Sequence, residues 1–357
     1  VAARLALAVA FFFALDALAF RTGWYTALLN PVSTAGYLQS SLWIEEDRPL
    51  KYPRQVLAVG DSRMGVKPRV ANALTPQTRL QFGSIAVPGT TPRCWYYMLR
   101  EIDPEAGRYA AIVIGLDTYD DHSYENLNER ELDINYLTPL AGFTDLVPLA
   151  FSYQDWTRRM HAAEAVLFKG LAYQRDVQEF LGHPRTRMEA VEWQRENGPA
   201  AVYNAVWERR SLAGMLVDWQ SHTLALPEWV DAQHRNIAAN LLLSDPPPHS
   251  NEYVRYRRRW LGAIVDRYRG LQTRLIFLRL PRAPVVRPGL AHDPSSTVRE
   301  FAARGQALLM DEHEFDGLER PEMFGDVQHL NEAGATEFTT MVAGEVSRML
   351  GVGDGNR

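Results

Sequence analysis

Three short apolar runs constrain this chain more than anything else in it: "VLAVG" at 56–60, "LQFGSIA" at 80–86 and "AAIVIGL" at 110–116. Between the second and third lies "PRCWYYMLREI", in which Pro92 suits a helix start and Trp95, Met98, Leu99 and Ile102 share one face. A continuously apolar strand has no side to give to water, so strands of this kind alternating with helices indicate a parallel sheet covered on both faces. "RLIFLRL" at 274–280 and "ALLM" at 307–310 add two more strands. The expected architecture is α/β: three α/β/α layers around a mostly parallel, five-stranded sheet over 55–350. In such sheets ligands gather at the carboxyl ends of the strands.

From 120 to 250 the strand pattern stops, and amphipathic segments carrying Trp156, Trp193, Trp207, Trp219 and Trp229 replace it. A mostly helical insertion over 121–250 is expected. Its tryptophans read as core, with a sugar-stacking platform as the alternative. "DPPPHSN" at 245–251 closes the insertion and caps a helix over 252–270, with Tyr253, Tyr256, Trp260, Ile264 and Tyr268 on its apolar side. The basic run "RYRRR" at 255–259 reads as the solvated side of that helix. At the end of the chain Phe338, Val342, Val346 and Met349 repeat at helical spacing.

The opening "VAARLALAVAFFFALDALAF" is the one segment without globular character, apolar from residue 5 to 15 and broken by Asp16. A span needs roughly 20 apolar residues, and this run is short of that. A retained membrane anchor over 1–20 is the favoured reading. A cleaved signal, with Ala17-Leu18-Ala19 as the peptidase site, and a buried helix are the alternatives. Trp24 and Tyr25 suit a membrane interface, Arg4 and Arg21 flank the run almost symmetrically, and 21–54 reads as a connector. The remainder of the chain would then face outside the cytoplasm.

A net charge of -5 with scattered Lys and Arg offers no stripe for nucleic acid, which is not expected as a partner. The single Cys94 excludes an internal disulfide and a cysteine-rich zinc site. No cofactor is expected. "DTYDDHSYEN", with Asp117, Asp120, Asp121 and His122, has oxygen ligands for a divalent cation but lacks the spacing of a calcium loop, so no metal is expected either. Asp120 and Asp121 are candidates for the mouth of a pocket.

Four pieces stand at the ends of the strands and helices: Gly60-Asp61-Ser62, "AVPGTTP", "GLDTYDD" and "DVQHLN". A serine becomes a nucleophile when a base takes its proton, a third group orients the base, and donors await the oxyanion. His329 can be the base, Asp326 its orienting acid, and the amides of Ser62 and Gly89 the donors. Asp61 suits an Asx turn.

The order of these blocks resembles the SGNH hydrolase superfamily, the GDSL-like esterases, whose four blocks carry Ser, Gly, Asn and His. Ser62 matches the first, Gly89 the second, and Asp326 with His329 the D-x-x-H of the last. The resemblance covers about 55–120 and 272–350. In the third block Gly115-Leu116-Asp117 stands where the family has Gly-x-Asn, and an ionised carboxylate only accepts hydrogen bonds. Asp117 is therefore an oxyanion-hole position that is protonated, or neutralised by Arg63, or committed to a substrate hydroxyl; an Arg63–Asp117 pair is the favoured expectation. Arg63, Asp117, Asp120 and Arg279 are the candidate substrate contacts, with Arg282 beside Arg279.

Together with the N-terminal segment, the blocks look most like the anchored SGNH proteins of envelope acylation, of the alginate O-acetylation and D-alanyl lipoteichoic acid transfer type. That resemblance implies acyl transfer, of an acetyl or similar group, through an acyl-serine to a hydroxyl of an envelope glycan or exported polysaccharide. It also implies a multi-spanning membrane O-acyltransferase that supplies the acyl groups. An acetyl esterase with the same machinery and a non-catalytic glycan-binding or assembly protein are the other two expectations.

Overall fold

The computed structural model describes residues 2–50, 54–122, 126–198, 209–245, 250–287 and 296–352. The chain begins with α1 (Ala2–Phe20), α2 (Thr34–Glu46), β1 (Gln55–Gly60), α3 (Pro68–Ala73), α4 (Thr75–Thr78), β2 (Gln81–Ala86), α5 (Pro92–Ile102) and β3 (Ala111–Leu116). A run of helices follows: α6 (Leu132–Leu137), α7 (Leu146–Ala150), α8 (Trp156–Leu167), α9 (Lys169–Ala172), α10 (Gln174–Gly182) and α11 (Pro184–Asn197). The small hairpin β4 (Leu216–Asp218) and β5 (Thr223–Ala225) precedes α12 (Ala232–Leu243) and α13 (Asn251–Tyr268). Last come β6 (Arg274–Arg279), α14 (Thr297–Ala303), β7 (Leu308–Leu309) and α15 (Glu332–Met349).

The chain has an α/β fold. Its five-stranded sheet, in the order β2-β1-β3-β6-β7, is parallel throughout. Every residue of β1 and β3 is buried, which is why these strands are apolar without alternation. Val56 registers with Phe82 on one side and Ala111 on the other. From β1 the chain moves outward to β2 and then returns to the opposite side of β1 as β3. This reversal of direction opens a crevice at the carboxyl ends of β1 and β3.

The chain divides into two compact units. The sheet unit comprises Arg48–Pro92, Asp103–Glu125 and Ala205–Arg357. One face of its sheet, with Val56, Ala58, Phe82, Val113, Ile276 and Leu278, packs on Ala71 of α3 and on Phe338, Val342 and Val346 of α15. Further helices, α13 and α14, lie against β6 and β7, as a three-layer fold requires. The tyrosine and tryptophan stripe of α13 is buried as its spacing predicts, and Ser250 caps that helix by accepting from the Tyr253 amide. A smaller core joins Leu212, Met215, Val230, Ala238 and Leu242 to Phe324 and Val327. Residues 209–245, expected within the helical insertion, thus form a wedge beneath the segment that carries His329.

The helical unit comprises Val1–Asp47, Arg93–Ile102 and Asn126–Asn204. The connector expected over 21–54 is ordered in part as α2, which buries Ala35, Leu38 and Leu42. These three repeat at helical spacing, so the segment has an apolar face to bury and is no free linker. Asp176 ties this unit together by accepting from the Tyr25 hydroxyl at 2.6 Å, the Asn30 amide at 3.1 Å and Arg187 at 3.0 Å. The tryptophans expected in the core are mostly elsewhere. Trp156, Trp193 and Trp229 are exposed, Trp219 donates its indole N–H to the Leu242 carbonyl, and Trp207 lies outside the described residues.

Candidate active site

At the end of β1 the chain turns within four residues. The Met64 amide donates to the Asp61 carbonyl at 3.0 Å, and the Arg63 amide to the Asp61 side chain at 2.8 Å, an Asx turn that presents Ser62. Met64 is wholly buried and folds back beneath the turn. A Cβ on Gly60 would stand 2.6 Å from Met64 Cβ, and one on Gly115 would stand 2.6 Å from its sulfur. Both glycines of the Gly-Asp-Ser and Gly-x-Asp blocks are therefore space for Met64, which locks the Ser62 turn to the end of β3.

His329 is carried by a loop that fixes its own geometry. Phe324 and Leu330 form an antiparallel bridge, and the Gly325 amide donates to the His329 carbonyl at 2.9 Å. Asp326 accepts from the amides of Gln328 and His329, each at 2.8 Å. Asn331 ends the loop by capping α15 through Gly334, while its side-chain amide donates to the Glu322 carbonyl. Gly334 lies so close to the Met323 carbonyl that a Cβ there would be 2.3 Å from the oxygen. The wedge below contributes a further tie, from the Leu212 amide to the Phe324 carbonyl at 3.0 Å.

These two loops bring Ser62, His329 and Asp326 into one relay. Ser62 Oγ is 2.8 Å from His329 Nε2, and His329 Nδ1 is 2.9 and 3.0 Å from the two oxygens of Asp326. Burial pushes the Asp326 carboxyl up, but its hydrogen bond with His329, the histidine's charge and the two amides outweigh this and hold it below its ordinary value. An ionised Asp326 accepts from Nδ1–H, which leaves the Nε2 lone pair facing the serine hydroxyl. The three side chains have the spacing that general-base activation of a serine needs.

Gly89 lies in the turn after β2, with φ +69°, a left-handed conformation that favours glycine. The Val87 amide and the Thr90 hydroxyl both donate to the Gly60 carbonyl at 3.2 Å, tying the Gly89 turn to the last residue of β1. The Gly60-Asp61-Ser62 and Gly89 blocks are thus joined through one carbonyl.

The favoured Arg63–Asp117 pair is corrected in part: the charge of Asp117 acts on Arg63, but Asp117 is not its direct partner. Arg63 instead grips Asp61 with two nitrogens, Nη2 to Oδ2 at 2.6 Å and Nε to both oxygens at 3.1 and 3.2 Å. Two residues within one turn meet at no cost in chain ordering, so the local partner wins. Burial pushes Asp61 up, yet the charge and hydrogen bonds of Arg63 bring it below its ordinary value. Asp117 is about a third exposed, accepts from the Thr118 amide at 3.0 Å and has the Arg257 guanidinium 3.7 Å away.

Arg257 is the residue that the sequence reading missed, having assigned 255–259 to a solvated face. It is fully buried and donates to the carbonyls of Thr118, Tyr119 and Asp120 at 2.6, 3.1 and 2.9 Å, and to Asp121 at 3.3 Å. The signal was present: Arg257 stands four residues after Tyr253 and three before Trp260, on the apolar stripe itself. Beside it, burial pushes the Tyr253 hydroxyl up to about 12 against the pull of Arg257.

Two expected substrate contacts are committed to internal partners. Asp120 is buried against Arg299 at 2.6 Å, and Arg299 also holds Glu312. Arg279 is buried among Glu319, Asp316 and the Glu312 carbonyl, and Arg282 shares Glu319 and Asp316 with it. Both arginines fasten the end of β6 to the segment that leads into the His329 loop. Asp121 is likewise internal, accepting from the amide and hydroxyl of Thr297. No cluster of metal-ligating side chains is found among the described residues. No protein-family model matches the chain, and neither the curated proteins nor the solved structures yield a match.

Proposed function

We propose that this chain is an SGNH-type serine O-acyltransferase, anchored in the membrane by α1, that acts outside the cytoplasm on a hydroxyl of an envelope or exported polysaccharide. The observation that carries the reading is the Ser62–His329–Asp326 relay, with its 2.8 Å contact between hydroxyl and imidazole. α1 supports the anchor: it is long and apolar enough to cross a membrane by length and composition.

In this reading Ser62 Oγ attacks the carbonyl carbon of an acyl donor as its proton passes to His329 Nε2. The imidazolium is stabilised by the ionised Asp326. The amides of Ser62 and Gly89 face the oxyanion, since Asp117 as a carboxylate has no proton to donate. Collapse of the tetrahedral adduct breaks the bond to the leaving group, which takes the proton from His329, and leaves acyl-Ser62. His329 then removes the proton of an acceptor hydroxyl, whose oxygen attacks the acyl carbon; the bond from that carbon to Ser62 Oγ breaks, and Oγ takes the proton back from His329. Asp117, partly exposed beside Arg257, accepts a hydrogen bond from that sugar's neighbouring hydroxyl.

Intact-mass measurement after incubation with an activated acetyl ester tests the reading. A single acetyl adduct on the native chain and none on Ser62→Ala is expected, followed by passage of the acetyl to added oligosaccharides. Absence of both adduct and ester turnover from the native chain would overturn it, and release of acetate to water alone, whatever sugar is added, would make the chain an esterase.

A further inference from the structure

Outside the relay, the most unusual surface lies on the helical unit. Phe143, Val147 and Phe151, at successive four-residue steps, are 55%, 63% and 63% exposed, and on the adjoining α8 Trp156 and Met160 are 69% and 49% exposed. A run of five large apolar side chains turned outward within eighteen residues has no role in a core.

The row begins at the end of α1. Arg21, one residue beyond that helix, stacks on the Phe143 ring at 3.9 Å and donates to the Val166 and Leu167 carbonyls. At its other end Arg159 lies over Phe151 at 5.3 Å. Asp16, the one buried residue of α1, accepts from the Gly170 amide at 2.7 Å, and the Phe12 and Phe13 rings meet Phe168. Contact between α1 and the α8–α9 corner therefore extends from residue 12 to residue 21, about 12 Å or more of helix at 1.5 Å per residue. The rest of α1 is bare: Leu5, Leu7, Val9 and Phe11 are all exposed.

We infer that the α7–α8 hairpin is a second membrane contact, lying in the interfacial layer of the bilayer that α1 enters, with Phe143, Val147, Phe151, Trp156 and Met160 in the lipid. This rests on the anchor reading of α1. A unit fastened along α1 over that distance cannot stand clear of the headgroups when the helix spans; its corner lies at the depth, roughly 5–10 Å, at which interfacial helices bury their apolar face. Aromatic rings and Met point outward, and Arg21 and Arg159 cover two of the rings with cations, a composition suited to lipid headgroups over an acyl surface. The hairpin then fixes how the helical unit meets the membrane, which a single helix, free to rotate about its axis, does not.

Because the only cysteine, Cys94, is buried, an introduced surface cysteine is the thiol that reacts with a fluorophore. The full chain is reconstituted in phosphatidylcholine–phosphatidylglycerol vesicles containing a lipid with a nitroxide near the headgroup end of its acyl chain. Labels on Val147→Cys and Phe151→Cys are expected to lose about half or more of their emission, as sites buried roughly 5–10 Å into the boundary do. The same labels in vesicles without the nitroxide lipid give the unquenched reference. A label on Leu7→Cys, quenched by a nitroxide deep in the acyl chain, reports the anchor separately. Quenching at Leu7 with none at 147 and 151 would overturn the interfacial hairpin while leaving the anchor intact; if those labels were also hidden from aqueous iodide, the face would belong to a second copy of the chain. No quenching at Leu7 would overturn the anchor and the hairpin with it.

Discussion

The loops that follow β1 and β3 stand side by side at the carboxyl end of the sheet, and they are held by opposite means. The first is held from within: Asp61 binds Arg63 two residues on, and Met64 folds back on Gly60. The second is held from a distance by Arg257, which reaches from α13 to three successive carbonyls of residues 118–120. A site can thus combine a Ser62 turn shaped largely by its own residues with a neighbouring loop braced mainly by side chains brought from elsewhere in the chain.

The largest expected effect tests what the self-held turn is for. Ser62→Ala removes the proposed nucleophile and keeps every hydrogen bond that shapes the turn, since these run through Asp61, Arg63 and Met64. Ester turnover is expected to fall by about 10⁴-fold or more with stability unchanged. A variant that retained turnover within about ten-fold would remove Ser62 from the chemistry.

The second loop supplies the next effect. Arg257→Met removes a buried cation from Asp121 and leaves the 118–120 carbonyls without their shared donor. A stability loss of about 3–5 kcal/mol is expected, because breaking one side of a buried ionic network strands the other. Arg257→Lys keeps the charge and loses the planar fork, so urea unfolding should put it between the two. If Arg257→Met unfolds at the same urea concentration as the native chain, the loop is not held from α13 and the contrast between the two loops fails.

What could be read in the sequence follows the same division. The parallel sheet was legible because burial on both faces writes itself as an uninterrupted apolar run, and the serine, histidine and aspartate blocks were legible because each is a local turn with its own capping and hydrogen bonding. Arg257 was obscured by its neighbours: among Arg255, Arg258 and Arg259 a fourth arginine reads as solvated surface, and only its register with Tyr253 and Trp260 marks it as buried. Asp120 and Arg279 were misjudged for a related reason. A charged residue at a strand end looks like a substrate contact until its partners, Arg299 and Glu319, are brought from elsewhere in the chain. The wedge of 209–245 under the His329 loop was likewise beyond local patterns, which give no sign that its small core includes Phe324 and Val327.

Gly60→Ala tests the packing half of the first loop. The added methyl would meet Met64 Cβ, an atom fixed by the backbone and unable to swing away as a side-chain tip would. Overpacking of this kind costs about 1–3 kcal/mol. The shift should appear in the unfolding midpoint and also in turnover, since the displaced turn moves Ser62 from His329; loss of stability with turnover intact would mean that the sheet yields before the turn does.

Asp61→Asn gives the smallest effect. Asparagine can keep the Asx turn to the Arg63 amide through its one oxygen, but its NH2 replaces the second acceptor of the Arg63 guanidinium, so the variant loses the ion pair and the hydrogen bonds to Oδ2 while keeping the turn. Asp61 is held below its ordinary value in the folded chain: burial raises it, and Arg63 more than compensates. A carboxyl depressed by folding contributes stability at every pH above its unfolded value, near about 4, and that contribution disappears as the pH falls through the lower folded value. The native chain should therefore exceed Asp61→Asn by about 1–2 kcal/mol at neutral pH, as a charge-assisted hydrogen bond does. The gap should close on acidification below about pH 4, measured by urea unfolding at matched ionic strength. A gap that stays constant with pH would assign the contribution of Asp61 to the shape of its side chain, and the first loop would then owe its geometry to Met64 and the backbone.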